Sequence, residues 1–442
     1  MNKLPALLIL FSLVTLPGCK QSVEELKPID LTPQDIRIVL NPTGHMKDAE
    51  LRNVEGKVIT SSRTTETFIR KVSVEDKTIY LDLTPGTYKV ELKVDLFFKR
   101  PSGRYASTTL LKELPLKVES GGQVTTAEIS LDYTPSAGDF LIEELYLNGT
   151  RHAPSPDPDW PGNLLIHDPY KRDKYVIITN NSDETLYADG LIFFESLFSS
   201  LTTIPKVPKY DRTKSTAVKA AFAIPGSGTD HPVGPGKSVI LAADGIDHRE
   251  YEPEAANLSD ADFEWISEGL RQKDSLPWNR RVDDLMDLRR LLALKSTGIW
   301  EPDNTDSHSY GIAYSEMDPA KFGVKYGKTY KEDGQDRVYI LIPNEWILDC
   351  VNLSTKKGFK TLPVDGKLDA GWVEVFEPTP EPKPEDKDKV IPADHFTHCV
   401  RRKVSADTGK SRKVLVDSND SSRDMLGNQP PSLSIKAVAD YK

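Results

Sequence analysis

The sequence predicts a mainly β protein of two β-sandwich domains in tandem, and three observations predict it. Proline and glycine number 32 and 27 among 442 residues, a frequency that demands many turns. Short segments alternate apolar and polar side chains, the period of a strand with one buried and one wet face. The segment 133–138, with Pro135, Ser136 and Gly138, reads as a linker between two such series. A chain of 442 residues is too long for one simple sandwich. Hydrophobic residues make up 38%, below the roughly 45 to 50% of ordinary soluble domains when Gly is counted, which favours long connections. A formal net charge of -10 lacks the clustered Lys and Arg with which a nucleic-acid binder neutralises phosphates, so no nucleic-acid partner is expected.

Taken in order, residues 1–19 begin with Lys3, continue through an apolar run over 6–16 and end in Leu16-Pro17-Gly18-Cys19. The run is shorter than the ~20 apolar residues that cross a bilayer. This stretch resembles a bacterial lipoprotein signal, which implies lipid on the Cys19 thiol and cleavage just before it. Residues 20–34 open with Lys20-Gln21-Ser22-Val23-Glu24-Glu25 and form a polar, acidic tether. The acidic pair resembles the surface-export signal of Bacteroidetes lipoproteins. The expected address is therefore the outer membrane, reached through a lipid anchor, with the protein facing the cell exterior. Cys350 and Cys399 then form an even pair in an exported chain, where disulfides persist, and are candidates for a bridge. Such a bridge is worth ~4 kcal/mol on the chain-entropy model.

Over 35–132 the strand segments are 36–40, 78–83, 88–94 and 123–131, spaced as in a sandwich of about a hundred residues. Between two of them Leu83-Thr84-Pro85-Gly86-Thr87-Tyr88 pairs a Pro-Gly turn with an aromatic anchor. It resembles the corner of prealbumin-like and carboxypeptidase-regulatory-like modules, and marks a fold without an activity. The second domain, 139–442, opens with strands at 140–146 and 174–182, then 186–193 and 233–242. In this order they resemble the lamin-tail-like immunoglobulin (Ig-like) sandwich. Segments 243–248, 257–265, 399–403 and 417–424 together resemble an uncharacterised family of Bacteroidetes lipoproteins, which has no established reaction or ligand. Insertions are expected at 196–221, 250–330 and 377–389. Within the second, residues 282–295 place Val282, Leu285, Leu288, Leu291, Leu292 and Leu294 at helical spacing, predicting one amphipathic helix.

Motifs for chemistry are sparse. His395 and His398 lie three apart beside Cys399, a spacing that shares a metal on a helix but points to opposite faces near a strand. Asp244 and Asp247 in one loop, and Asp417 and Asn419 in another, offer oxygen ligands to calcium, although Asp and Asn equally close turns on their own backbone. The Pro225-Gly226-Ser227-Gly228 turn has the wrong spacing for a nucleophile elbow. No catalytic residue is assigned. The stronger lead is aromatic: all six tryptophans lie beyond residue 139, and Trp160, Trp278 and Trp300 sit in polar, Pro- and Gly-rich surroundings. Indole faces there stack on a ligand or anchor a partner, or else plug loops onto the sheet. The expected function is a non-catalytic binding or accessory subunit, with a β-barrel outer-membrane transporter as partner and a glycan or other small molecule as ligand. A surface hydrolase with an unrecognised carboxylate pair and a structural adhesin stay open as alternatives.

Overall fold

The computed structural model describes residues 31–434 apart from 61–65, 69–71, 74–75, 101, 122–123, 136–137, 153–154, 157, 159–163, 166–168, 205–208, 266–282, 285, 288–299, 303–304, 316–321, 323–324, 333, 377–394 and 407–408. The described residues are mainly strand in several sheets, and helix is confined to short turns such as Ser421–Asp424. Contacts group the chain into a smaller unit, Met1–Val39, Gly56–Glu91 and Glu113–Ile129, and a larger one, Leu40–Glu55, Leu92–Lys112 and Ser130–Lys442.

In the smaller unit the Gln34–Pro42 strand runs antiparallel to Thr78–Leu83, with Ile36 opposite Leu81 and Ile38 opposite Ile79. Its alternation matches the sequence, since Ile36 and Ile38 are buried while Asp35 and Arg37 are exposed. The Pro85-Gly86 turn also forms its anchor. Tyr88 is buried, and its hydroxyl donates to the Thr84 carbonyl at 2.7 Å.

The larger unit holds two seven-stranded sheets. One runs in the order Asp283–Asp284, Phe263–Glu264, Ser238–Ala242, Tyr175–Asn180, Phe140–Tyr146, Cys399–Arg402, Met425–Gln429. Every residue of its central Tyr175–Asn180 strand is buried, which explains why 175–178 reads as a continuous apolar run rather than an alternating one. The other runs Gly327–Glu332, Gln335–Pro343, Ser215–Ala223, Leu191–Ser199, His308–Tyr314, Ile347–Asn352, with Met286–Asp287 paired to Ser215–Ala223. A buried ion pair joins the sheets: the Asp349 carboxylate accepts from the Ile142 amide at 2.7 Å and from the Arg402 guanidinium at 2.6 Å. Burial raises the Asp349 carboxyl to about 6, against the opposing pull of Arg402.

Four expectations are corrected. Cys350 and Cys399 are free thiols, each buried in the core of a different sheet, Cys350 beside Phe194 and Ala313 and Cys399 beside Tyr146 and Tyr175. The stretch 196–221 begins and ends in sheet, because Leu191–Ser199 and Ser215–Ala223 pair directly, and the connection between them is 200–214. A strand written largely in Ala, Ser and Thr carries a weak apolar signal, and burial of Ala217, Ala220 and Ala221 supplies what the pattern lacks. The stretch 250–330 contains His308–Tyr314, an inner strand between Leu191–Ser199 and Ile347–Asn352. Finally, the start of the expected helix is extended: Asp283–Asp284 pairs with Phe263–Glu264, and Met286–Asp287 with Phe222 and Ala223. Ladder partners on neighbouring strands override the local helical period there. The remainder of that helix and the 377–389 insertion lie outside the described residues.

Candidate functional site

The larger unit carries an open cleft of about 650 Å³. Its floor is built where the chain leaves the Ile347–Asn352 strand and returns, with Leu353 bridged in parallel to Val373. Asp369 pins this return. Its fully buried carboxylate accepts from the amides of Asn352 at 2.9 Å, Gly371 at 3.1 Å and Ser421 at 2.7 Å, and from the Ser421 hydroxyl. Desolvation raises this carboxyl, while the four donors pull it back. Asn352 closes the network by donating to the carbonyls of Gly371 at 2.9 Å and Asp369 at 3.2 Å. Glycine is required at two places: a Cβ at Gly371 would enter the Asp420 carboxylate, and one at Gly427 would strike the Glu374 carbonyl.

The walls are aromatic. The Thr355 carbonyl accepts from the amides of Gly358 at 3.1 Å and Phe359 at 3.0 Å, and this turn lifts Phe359 to the mouth. There Phe359, 38% exposed, stacks on Trp372 with centroids 5.3 Å apart and planes 21° apart. Opposite them Phe376 lies parallel to His398 at 6.4 Å. Lys356 and Glu374 meet at 3.6 Å on the rim, and Ser422 and Asn428 complete the lining. The Lys356 side chain is 71% exposed, so this pair adds polarity more than stability. A flat apolar face beside hydrogen-bonding groups can hold a ring-shaped ligand by stacking and orient it by its polar edge. A smaller hollow of about 360 Å³ lies beside His231 and Asp262, with His231 against Phe263.

The residues singled out from sequence are dispersed. Cys19, Trp160 and Trp278 lie outside the described residues. Trp300, read as a loop contact, is 3% exposed: its indole N–H donates to Glu195 at 2.6 Å and its ring packs on Phe222 and Trp265. Asp244 is buried against the Arg172 guanidinium at 2.7 Å, while Asp247 holds Arg249 and caps the His248–Glu250 turn. Asp417 accepts from the Asn419 amide, and Asn419 adopts the left-handed φ of 54°. His395 pairs with Asp306 at 2.9 Å, whereas the Cys399 thiol donates to the Pro430 carbonyl. Among the described residues no group of three or more His, Cys, Asp or Glu is placed to hold a metal ion. The cleft itself was missed. Its signals were the Gly371-Trp372 turn and the Lys356-Lys357-Gly358-Phe359-Lys360 run, and only folding brings those two segments together.

Residues 234–432 match the family described as "Protein of unknown function (DUF4876)". The whole cleft lies inside the DUF4876 match, as do the 243–248, 257–265, 399–403 and 417–424 segments. The crystal structure of a DUF4876 family protein from Bacteroides thetaiotaomicron VPI-5482 is similar to this chain at 19% identity and a TM-score of 0.52, covering 90% of this chain and 96% of that one. At that identity the likeness is one of fold. Compared with curated proteins, the chain matches none. The DUF4876 match and the Bacteroides neighbour agree with the resemblance to an uncharacterised Bacteroidetes family.

Proposed function

We propose that this chain is a non-catalytic binding subunit, tethered to the outer membrane through lipid on Cys19 and facing the cell exterior, that holds sugar rings at Phe359 and Trp372. The observation that carries the reading is the stacked, partly exposed aromatic pair at the mouth of an open cleft. Such a face grips the apolar side of a pyranose, while rim groups such as Lys356, Glu374 and Asn428 take its hydroxyls. The Asp369 network supports the reading further, because a floor fixed before binding lowers the entropy lost on association. The anchor rests on Leu16-Pro17-Gly18-Cys19 and the orientation on the acidic tether. An accessory role beside a β-barrel nutrient transporter follows from that address. Two Ig-like sandwiches, prealbumin-like and then lamin-tail-like, are the proposed frame.

Titration of the full chain, without its signal, against a panel of oligosaccharides tests the binding claim. Trp372→Ala and Phe359→Ala should each weaken a bound glycan at least about tenfold, with Tm close to that of the parent. A parent protein that binds no glycan, or variants that bind as well as the parent, would overturn the assignment. Turnover of a bound polysaccharide would replace it with the hydrolase reading.

A further inference from the structure

The turn that presents Phe359 also concentrates positive charge. Lys356, Lys357 and Lys360 are all exposed and surround Gly358 and Phe359, with no acidic residue among them. The backbone holds them in place, through the Thr355 carbonyl on one side and a hydrogen bond from the Lys360 amide to the Ser200 carbonyl at 2.8 Å on the other. Lys356 has Glu374 as its partner. Among the described residues the Lys357 and Lys360 ammonium groups meet no carboxylate. Several other clustered cations of this unit are neutralised: Lys410 and Arg412 close on Asp183, Lys413 on Glu143, and Arg401 on Glu144. In a chain of net charge -10, two uncompensated ammonium groups flanking an exposed ring set up a local attraction for an anion.

Resting on the glycan reading above, we infer that the cleft selects acidic glycans: the ring of a uronate or sulfated sugar stacks on Phe359 and Trp372 while its anionic group faces Lys357 and Lys360. The arrangement fits the chemistry of such a sugar, whose charge sits at the ring periphery and leaves both faces free for stacking. Consecutive Cα atoms are ~3.8 Å apart, so the long side chains of Lys357 and Lys360, two positions before and one after Phe359, have the reach to meet an anionic group on a sugar held at its ring. Lysine suits this task, being a mobile point charge that accepts either carboxylate or sulfate. Exposed charge pairs are screened by salt. The preference is therefore several-fold, and it shrinks as ionic strength rises.

The test uses the full chain without its signal and matched polymers of differing charge: polygalacturonate and hyaluronate, each against its carboxyl-reduced form, and chondroitin sulfate against a form both desulfated and carboxyl-reduced. At 50 mM salt at least one acidic member should be bound about fivefold or more tightly than its neutral counterpart, and 500 mM salt should remove most of the difference. Lys357→Gln with Lys360→Gln should erase the preference yet leave neutral binding near the parent level, whereas Trp372→Ala should lose both forms. Neutral glycans bound as tightly as acidic ones, or a preference that survives the double lysine variant, would overturn acidic selection and leave the glycan reading standing. Failure to bind any glycan, charged or neutral, would overturn both.

Discussion

Asp173 shows how a single buried carboxylate makes stability depend on pH. It is fully buried and accepts from the Thr150 amide at 3.2 Å, the Thr150 hydroxyl at 2.5 Å and the Ala256 amide at 3.2 Å. Desolvation outweighs these donors and raises its carboxyl from the ordinary 3.8 to about 6. The folded state therefore holds a proton that the unfolded chain releases. Its contribution is fully present below the ordinary value and is lost as pH rises through about 6. A shift of that size corresponds to on the order of 3 kcal/mol. In denaturant titrations from pH 7 to pH 4, Asp173→Asn should gain less stability on acidification than the parent, whose net slope also carries His248, held down to about 4 by burial and acting with the opposite sign. Asp349, Asp369 and Asp262, raised by the same cause, act in the same direction as Asp173. Trp300 makes a different prediction. Deleting its buried ring should cost ~3 to 5 kcal/mol and leave the Glu195 carboxylate without its indole donor. Glycan affinity of the folded fraction should not change, unlike Trp372→Ala. The burial of Trp300 was illegible in sequence, since Phe193, Phe222 and Trp265 arrive from distant segments.

The returning loop over 353–376 is held by its backbone as much as by its side chains. The Asn428 amide donates to the Val375 carbonyl at 2.7 Å, and this close approach leaves no room for a Cβ at Gly427. Gly427→Ala should force the two segments apart, lowering Tm by several degrees for a loss of about 2 kcal/mol and abolishing glycan binding. Gly334→Ala is the control: its φ of 80° is left-handed but nothing lies within 4 Å of the added carbon, so it should cost only about 1 kcal/mol of strain and leave binding intact. A Gly427 variant as stable as the parent would show that the loop adapts. Strands with clean alternation, such as Gln34–Pro42, were legible because their period is local. Ser215–Ala223 and Asp283–Asp284 were not, because their extended state depends on the strands beside them.

Residues 92–112 belong to the larger unit, although they precede the 133–138 linker. Thr185 and Leu186 pair with Ser107 and Ala106, and the Asp139 carboxylate engages both Arg100 and Arg104. A fragment of residues 139–442 would lose that ladder and leave Asp139 without either guanidinium. It should melt at least several degrees below the full chain, and a fragment with unchanged Tm would show that the 92–112 segment adds nothing to this core. The anchor is tested at the other end. Cys19→Ser should abolish lipid labelling and release the protein from membranes; continued retention with unchanged labelling would sink the lipoprotein reading.

What could be read from the chain alone was whatever depends on near neighbours: the Pro85-Gly86 turn with its Tyr88 anchor, the alternating strands, the apolar run over 6–16, and the β class itself. These follow from steric preference and hydrophobic period over a few residues. The placement of Cys350 and Cys399 in separate cores, the burial of Trp300, and the pairing of Phe359 with Trp372 across a floor pinned by Asp369 were decided by packing. Each joins segments far apart in the sequence, and which partners meet there depends on the competition among all the buried surfaces at once, a quantity that no local window contains.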